Sequence, residues 1–376
     1  MLADGPRTIL IVEDRAHWPI GHYAVRAFEL ATAYTELGYE VEILTSHGWC
    51  REAEHRDAPF AVARTRAPAR WLDRHIHHPA LRSVLQIAEI RARRPRTKPT
   101  PEAVVVLSYD IWPLLVALGA PRRARWLVNL FRDPQPIGRW RALDGVAARV
   151  VRGRHDAGGC VRVTVSHEAR RAVWAAEVPF LDPAVAPIAG VRDVRPAPDA
   201  RARLGLPASG RVALFFGDSI LKRPAVVVDA FRELDDWTLV VGGTVADALD
   251  DAPHLRTFPS VVSDETRDLL FAAADLVVLS FVPGYLNNSG TLMDAISFGV
   301  PVVCSQDAAV AETVVTRYRV GTCFDADDPR SLVEAVRRAP LALDPADLEL
   351  VRGELSNRSI ARSQLRMLGL AEQPAE

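Results

Sequence analysis

Short apolar runs of strand type alternate with amphipathic stretches of helical period along much of the chain. This is the pattern of parallel, doubly wound α/β sheets. In the first half the strand-like runs are TILIVE (8–13), EVEILTS (40–46), AVVVLSY (103–109), RWLVNLF (125–131) and VRVTVS (161–166). Between the first two lies AVRAFELATAYTELG, where Val25, Phe28, Leu30, Ala31, Ala33, Tyr34 and Leu37 recur at helical spacing and Gly38 stands as the helix stop. A second series reads VALFFG (212–217), WTLVVGG (237–243), DLVVLSF (275–281) and VPVVCS (300–305), with helices predicted near 224–235, 264–273, 290–298 and 329–338. Residues 181–210 are rich in Pro, Gly and charge, so the domain boundary is expected there. The division predicted is an N-terminal domain over 1–190, a C-terminal domain over 191–360 and a tail over 361–376.

Residues 51–102 fit this alternation least. They contain RTRAPARWLDRHIHHPALRSVLQIAEIRARRPRTK (64–98), in which Trp71, Leu72, Ile76, Leu81, Val84, Leu85 and Ile87 stand among many arginines. One reading is an exposed helical insertion with a solvated basic face. The other is a surface that meets an acceptor or anionic lipid, since basic amphipathic helices dock on such membranes.

Composition changes the picture little. The 376 residues are 49% hydrophobic and 25% charged, as in ordinary soluble proteins, and suffice for two cores. Residues 1–8 are polar rather than secretory, and no apolar run approaches the roughly 18 residues of a membrane span. A cytoplasmic protein is expected, with region 64–98 a candidate for peripheral contact at the inner membrane face. Cys50, Cys160, Cys304 and Cys323 are scattered singly, without metal-like or redox-like spacing, and read as reduced thiols. Charge is asymmetric: residues 1–190 hold 27 Lys and Arg against 20 Asp and Glu, and residues 191–376 hold 19 against 27. Only Lys98 and Lys222 are lysines, so the arginine excess reads as genome composition, although a basic half favours an anionic partner.

The opening ILIVED resembles the start of a phospho-receiver domain, whose paired acids hold magnesium. That reading fails downstream. Asp57 follows CREAEHR and Lys98 follows ARRPRT, neither of which can be a buried strand, and the second α/β series would be unexplained. The glycine at Gly21, between the first strand and first helix, instead lets backbone N–H groups and a helix dipole meet an anion.

Two stretches of the second half carry candidate chemistry. In FFGDSILKRPAVVVDAFREL a strand ends at Gly217, the adjacent cations Lys222 and Arg223 follow, and Pro224 starts a helix, an arrangement suited to a diphosphate. The competing reading is an exposed basic pair. In SFVPGYLNNSGTLMDAISFGVPVV a buried strand gives way to a polar loop and a helix begins near Gly290. Asn288 or Ser289 can cap that helix, leaving N–H groups for a phosphate, and Asp294 lies three residues after Thr291 on one face. A helix cap accounts for one Asn or Ser, but not for Asn287-Asn288-Ser289-Gly290-Thr291 together.

In this order the motifs resemble glycosyltransferases of the GT-B fold, most closely retaining family 4. The resemblance spans nearly the whole chain: the Gly21 loop, SHEARRAV after VRVTV, PIAGVRD ahead of RARLGLP, the Gly217–Arg223 site, and NNSGTLMDAISFGVPVVCS with EAVR after Asp328-Pro329. It implies two Rossmann-like domains facing across a cleft, the first for an acceptor and the second for a nucleotide-diphosphate sugar. Arg223, six residues after Gly217, falls on the family's diphosphate lysine, with Lys222 beside it. Asp294 falls on the second acid of the Glu-x7-Glu motif, the ribose ligand. The first acid falls on Leu286, so donor-sugar contacts pass to Asn287 or Asn288, and both retaining and inverting courses stay open. Arg132-Asp133 after LVNLF occupies the place of a His-Asp pair, making Asp133 a candidate base or acceptor contact against the alternative of a loop acid paired with arginine. His22 is a second candidate.

The function expected is metal-independent transfer of a sugar to an unknown glycan, lipid-linked or small-molecule hydroxyl. The nucleotide sugar is the co-substrate, with no other cofactor and no nucleic-acid partner. No Asp-x-Asp pair of the metal-holding kind is expected at a strand end. A sugar-nucleotide epimerase or phosphorylase, and a non-catalytic sugar-nucleotide binder, are the alternatives.

Overall fold

The computed structural model describes residues 7–13, 23–45, 58–64, 101–109, 124–130, 161–177, 183–187, 190–195, 197–217, 221–247, 249, 254–259 and 262–370. The chain divides into two compact units, residues 1–188 with 357–376, and residues 189–356.

In the first unit the elements run β1 (Thr8–Val12), α1 (Tyr23–Glu36), β2 (Glu40–Thr45), β3 (Ala61–Arg64), β4 (Ala103–Tyr109), β5 (Arg125–Leu130), β6 (Val161–Val165), α2 (Glu168–Glu177) and β7 (Ala184–Val185). The strands form a parallel sheet in the order β3-β2-β1-β4-β5-β6-β7. Their apolar character follows from burial. Ile9, Ile11, Val41, Ile43, Val105 and Leu127 share one core with Ala27, Leu30, Ala31 and Tyr34 of α1.

The second unit runs α3 (Ala200–Arg203), β8 (Arg211–Phe216), α4 (Pro224–Phe231), β9 (Trp237–Gly242), β10 (Leu255–Phe258), α5 (Asp264–Ala273), β11 (Leu276–Leu279), α6 (Gly290–Phe298), β12 (Val302–Ser305), α7 (Ala309–Arg317), β13 (Gly321–Phe324), α8 (Pro329–Arg338) and α9 (Pro345–Leu355). Its parallel sheet has the order β10-β9-β8-β11-β12-β13. Alternate side chains enter opposite layers, as the two-residue period of a strand requires. Val212, Leu214 and Phe216 of β8 pack with residues of α5, α6 and α7. Ala213 and Phe215 pack instead with residues of α4 and α8.

The last segment departs from the expected tail. Asn357–Met367 is a helix, α10, and belongs to the first unit. Ile360, Ala361 and Leu365 join the core that α1 covers. The Tyr34 hydroxyl donates to Gln364 Oε1 at 2.5 Å, and Asn357 Nδ2 donates to Glu29 Oε2 at 3.0 Å. Polar residues dominate this segment, so its composition reads as a tail, yet its few apolar positions fall on one helical face.

Candidate functional site

In each sheet the chain leaves its first strand in one direction and later returns to that strand's other side. Ligands of open α/β sheets bind beyond the carboxyl ends of the strands at such a switch point. In the second unit this point lies between β8 and β11, which pair directly.

Beyond β8 the backbone turns at Gly217, whose φ is +147°. A Cβ there would run into the Lys222 side chain, so glycine serves both the backbone and the close approach. The loop then folds onto the end of β11. Lys222 bridges Phe281, Val282 N–H donates to Leu221 O at 2.9 Å, and Arg223 N–H donates to Ser280 O at 3.1 Å. This pairing turns the Lys222 side chain inward, and the residue is only 9% exposed. Its ammonium donates to the Phe216 carbonyl and, at 3.2 Å, to Thr291 Oγ1. It also lies 5.7 and 5.6 Å from the ring centroids of Phe215 and Phe281, whose faces attract a cation. Tyr285 stacks on Phe281 at 4.0 Å and supports that wall.

The neighbouring cation behaves differently. Arg223 donates to Ala326 O at 3.0 Å and pairs with Asp327. The sequence resemblance puts the diphosphate cation at Arg223; the structure brings Lys222, not Arg223, to Thr291. Asp327 belongs to an Asp-x-Asp that follows a strand, Asp325-Ala326-Asp327 beyond β13. That strand is short and half-buried at the sheet edge, so its period is not visible in the sequence. Both acids are engaged, Asp327 with Arg223 and Asp325 Oδ1 with the Asp327 N–H at 3.1 Å. Among the described residues no group of three or more His, Cys, Asp or Glu could hold a metal ion.

Opposite Lys222 stands the first turn of α6. Ser289 is its N-cap, with Oγ accepting from Leu292 N–H at 3.1 Å, and Gly299 closes it in the left-handed conformation at φ 72°. Thr291 is buried and, besides receiving Lys222, donates to Phe216 O at 3.4 Å. Asn287, Asn288 and Gly290 are half-buried at the mouth of this turn. The Asn288 amide has no hydrogen-bond partner among the described residues. Leu286 is also half-buried there and offers no acid.

Asp294 lies one turn further in, 2% exposed. Its Oδ1 accepts from Arg192 Nε at 3.0 Å and NH2 at 2.8 Å, and Arg267 Nε approaches Oδ2 at 4.0 Å. Arg192 adds a bond to Asp268 at 2.9 Å, and its own N–H donates to Ser297 Oγ at 2.8 Å. The carboxylate expected at a ribose is thus the centre of a buried charge network that ties residue 192 to α6. Arg192 stands in the linker PIAGVRD, where no motif assigns it a role. Its signal was an arginine in a segment followed by helices with several acids, too generic to assign.

At the corresponding end of the first unit, Glu13 is 1% exposed and accepts from Arg26 NH2 at 2.8 Å. Farther along the same sheet, on the paired strands β5 and β6, the Thr164 hydroxyl donates to Asn129 Oδ1. Gly21, His22 and Asp133 lie outside the described residues, as does the basic stretch 65–98. Among the described residues no helix is long and apolar enough to cross a membrane.

Residues 210–339 match the family model for glycosyl transferases group 1. A D-inositol 3-phosphate glycosyltransferase of Nocardioides sp. is 32% identical over a stretch covering 37% of this chain and 36% of that protein. The matched stretch is therefore little more than a third of the relative's length. Solved structures are similar across almost the whole chain. A glycosyltransferase from Rickettsia africae gives a TM-score of 0.71 at 14% identity, covering 97% of this chain and 98% of that one. Anabaena HepE, solved in complex with UDP and glucose, gives 0.67 at 13% identity, covering 96% and 99%. The sucrose-phosphate synthase of Thermosynechococcus elongatus gives 0.62 at 16% identity, covering 97% and 95%. At such identities the structures speak for the fold, and the family model speaks for the second unit's domain. The chain thus has the GT-B fold of glycosyltransferases, and its residues 210–339 match the glycosyl transferases group 1 model within that fold.

Proposed function

We propose that this protein transfers a glycosyl group from a nucleotide-diphosphate sugar to an acceptor hydroxyl, and that the diphosphate is received at the carboxyl end of β8. The observation that carries this reading is the Lys222 ammonium, seated at the switch point against Thr291 in the first turn of α6. A cation, a hydroxyl and the leading N–H groups of a helix converge there. The N–H groups of Gly290 and Thr291 have no partner inside the helix by its geometry, and the helix dipole favours an anion. As the bond between the anomeric carbon and the diphosphate oxygen breaks, negative charge grows on the leaving group. Preorganised positive charge stabilises that state more than the ground state.

In this reading Asn287 and Asn288 meet the donor sugar in place of the acid that Leu286 replaces. Asp294 acts through α6, holding its face in register through Arg192 and Arg267. Asp133 and His22 are the first unit's candidates for the acceptor hydroxyl and its proton. The curated relative's name makes D-inositol 3-phosphate a reasonable first acceptor to try. A non-catalytic sugar-nucleotide binder is the second reading, and Leu286 is the residue that favours it.

The test begins with thermal shift against UDP-, GDP-, ADP- and TDP-sugars, because a ligand that binds the native state raises its apparent stability. At least one series should raise the melting temperature, and none doing so would contradict the proposal. Turnover with D-inositol 3-phosphate and a wider acceptor panel, with donor hydrolysis measured alone, then separates transfer from binding. Activity should survive EDTA. Loss on chelation with rescue by Mg²⁺ or Mn²⁺ would instead assign Asp325 and Asp327 a metal.

A further inference from the structure

The four cysteines are far apart in sequence, and their spacing suggests no pairing. The fold brings two of them together. Cys304 on β12 and Cys323 on β13 are direct partners in the parallel register, so both side chains leave the same face of the sheet. Their sulfurs lie 3.6 Å apart. Partnered residues on adjacent strands stand within the Cα separations that a disulfide spans, so closing the bond asks for side-chain rotation rather than backbone movement.

We propose that Cys304 and Cys323 form a thiol–disulfide modification site that is closed by small disulfides such as oxidised glutathione. The two thiols are unequal in the way such a site requires. Cys304 is fully buried in the core layer, whereas Cys323 is half-buried and packs at the edge of that layer. The hydrogen bond between them, with burial, pushes the Cys304 thiol well above its usual value, and the same bond holds the Cys323 thiol below its own. Cys323 is therefore the attacking thiolate and Cys304 the resolving thiol.

The exchange balances. The Cys323 thiolate attacks one sulfur of oxidised glutathione, the S–S bond breaks, and one glutathione thiolate leaves. Cys304 then gives its proton to that thiolate and attacks the Cys323 sulfur, releasing the second glutathione, which takes a proton from water. The protein loses two thiol protons and two electrons, and the glutathione disulfide is reduced to two thiols.

Phe324 follows Cys323, and just beyond it Ala326 and Asp327 hold Arg223. The inference does not rest on the proposed transfer activity, because its reading is chemical.

The experiment treats the folded full-length protein with oxidised glutathione, blocks remaining thiols by alkylation and maps the products by mass spectrometry. The expected result is a linked pair of peptides carrying Cys304 and Cys323, loss of two of the four thiols, and reversal by reduced dithiothreitol. Cys323→Ser should abolish the link and leave Cys304 unreactive, whereas Cys304→Ala should stop at a mixed glutathione disulfide on Cys323. The same treatment in urea controls for folding, and the pair should lose its preference over Cys50 and Cys160 there. The proposal is overturned if folded protein keeps both thiols free. It is equally overturned if links among the four cysteines form as indiscriminately in the folded chain as in urea.

Discussion

The two sheets share one architecture and present opposite chemistry at their switch points. Where the second unit sets Lys222 against Thr291, the first sets Glu13 against Arg26. Bulk charge runs the other way, since residues 1–190 are rich in basic residues and residues 191–376 in acidic ones. Net charge therefore says little about a site. What counts is the residue that local backbone pairing turns inward at a strand end. In the first unit a carboxylate and a guanidinium close on each other, giving a pair suited to holding β1 and α1 together. In the second, the named contacts of Lys222 include a carbonyl, a hydroxyl and two aromatic faces, and these orient the ammonium toward the first turn of α6.

The largest effect should come from breaking the first unit's pair. Glu13→Leu leaves Arg26 charged in a buried setting, and losing one partner of such a pair costs about 3–5 kcal/mol. Denaturant unfolding should show that loss while UDP affinity of the remaining folded protein stays at the parental value. Adding Arg26→Met should recover much of the stability, because an apolar replacement of the whole pair is often neutral. A large drop in UDP affinity with Glu13→Leu would instead join the two ends functionally and dissolve the contrast.

Asp294→Asn sharpens the comparison inside the second unit. Removing the charge that holds Arg192 and Arg267 should cost about 1.5–3 kcal/mol of stability, the range for hydrogen bonds to charged groups. UDP and free pyrophosphate should then weaken alike. If UDP weakens strongly while pyrophosphate does not, the carboxylate meets the ribose after all.

The same site was partly legible in the sequence. The strands of both sheet centres and the helices over 264–273, 290–298 and 329–338 are readable because they are long, apolar or cleanly periodic. The strands at the second sheet's two edges are not. Leu255–Phe258 and Gly321–Phe324 are four residues each, partly exposed, and carry Arg, Thr or Gly where a buried strand would be apolar. Their strand state is set by pairing with a neighbour already in place, a tertiary effect that propensity does not carry. The helices Ala309–Arg317, Pro345–Leu355 and Asn357–Met367 escaped for the same reason, since each is half-covered by contacts distant in sequence. At the site, the Gly217, Lys222 and Ser289–Thr291 cluster is visible as a motif. Which of the adjacent cations turns inward is decided by the antiparallel bridge from Lys222 to Phe281, which sequence spacing cannot show. The occupation of Asp294 by Arg192 is equally a product of folding, since the two stand 102 positions apart in sequence.

A smaller effect separates cap from ligand. Ser289→Ala removes the bond to Leu292 N–H and should cost about 1 kcal/mol of stability, as N-cap losses do. Asn288→Ala removes no bond among the described residues, so its melting temperature should stay within a degree or two of the parent's. Turnover in Asn288→Ala should fall nonetheless. Unchanged turnover would remove that amide from the sugar site.

The measurement that bears most directly on the central claim is calorimetric titration of UDP, GDP, ADP and TDP into the parent, Lys222→Met and Arg223→Met. Lys222→Met should weaken whichever diphosphate binds by about 1.5–3 kcal/mol, a loss of roughly ten- to over a hundredfold, as expected for a charge-assisted contact. Arg223→Met, which removes a partly exposed pair with Asp327, should change the same affinity by less than about 1 kcal/mol. Equal affinities in all three proteins, or the larger loss falling on Arg223→Met, would contradict the assignment of the diphosphate to Lys222 at the end of β8.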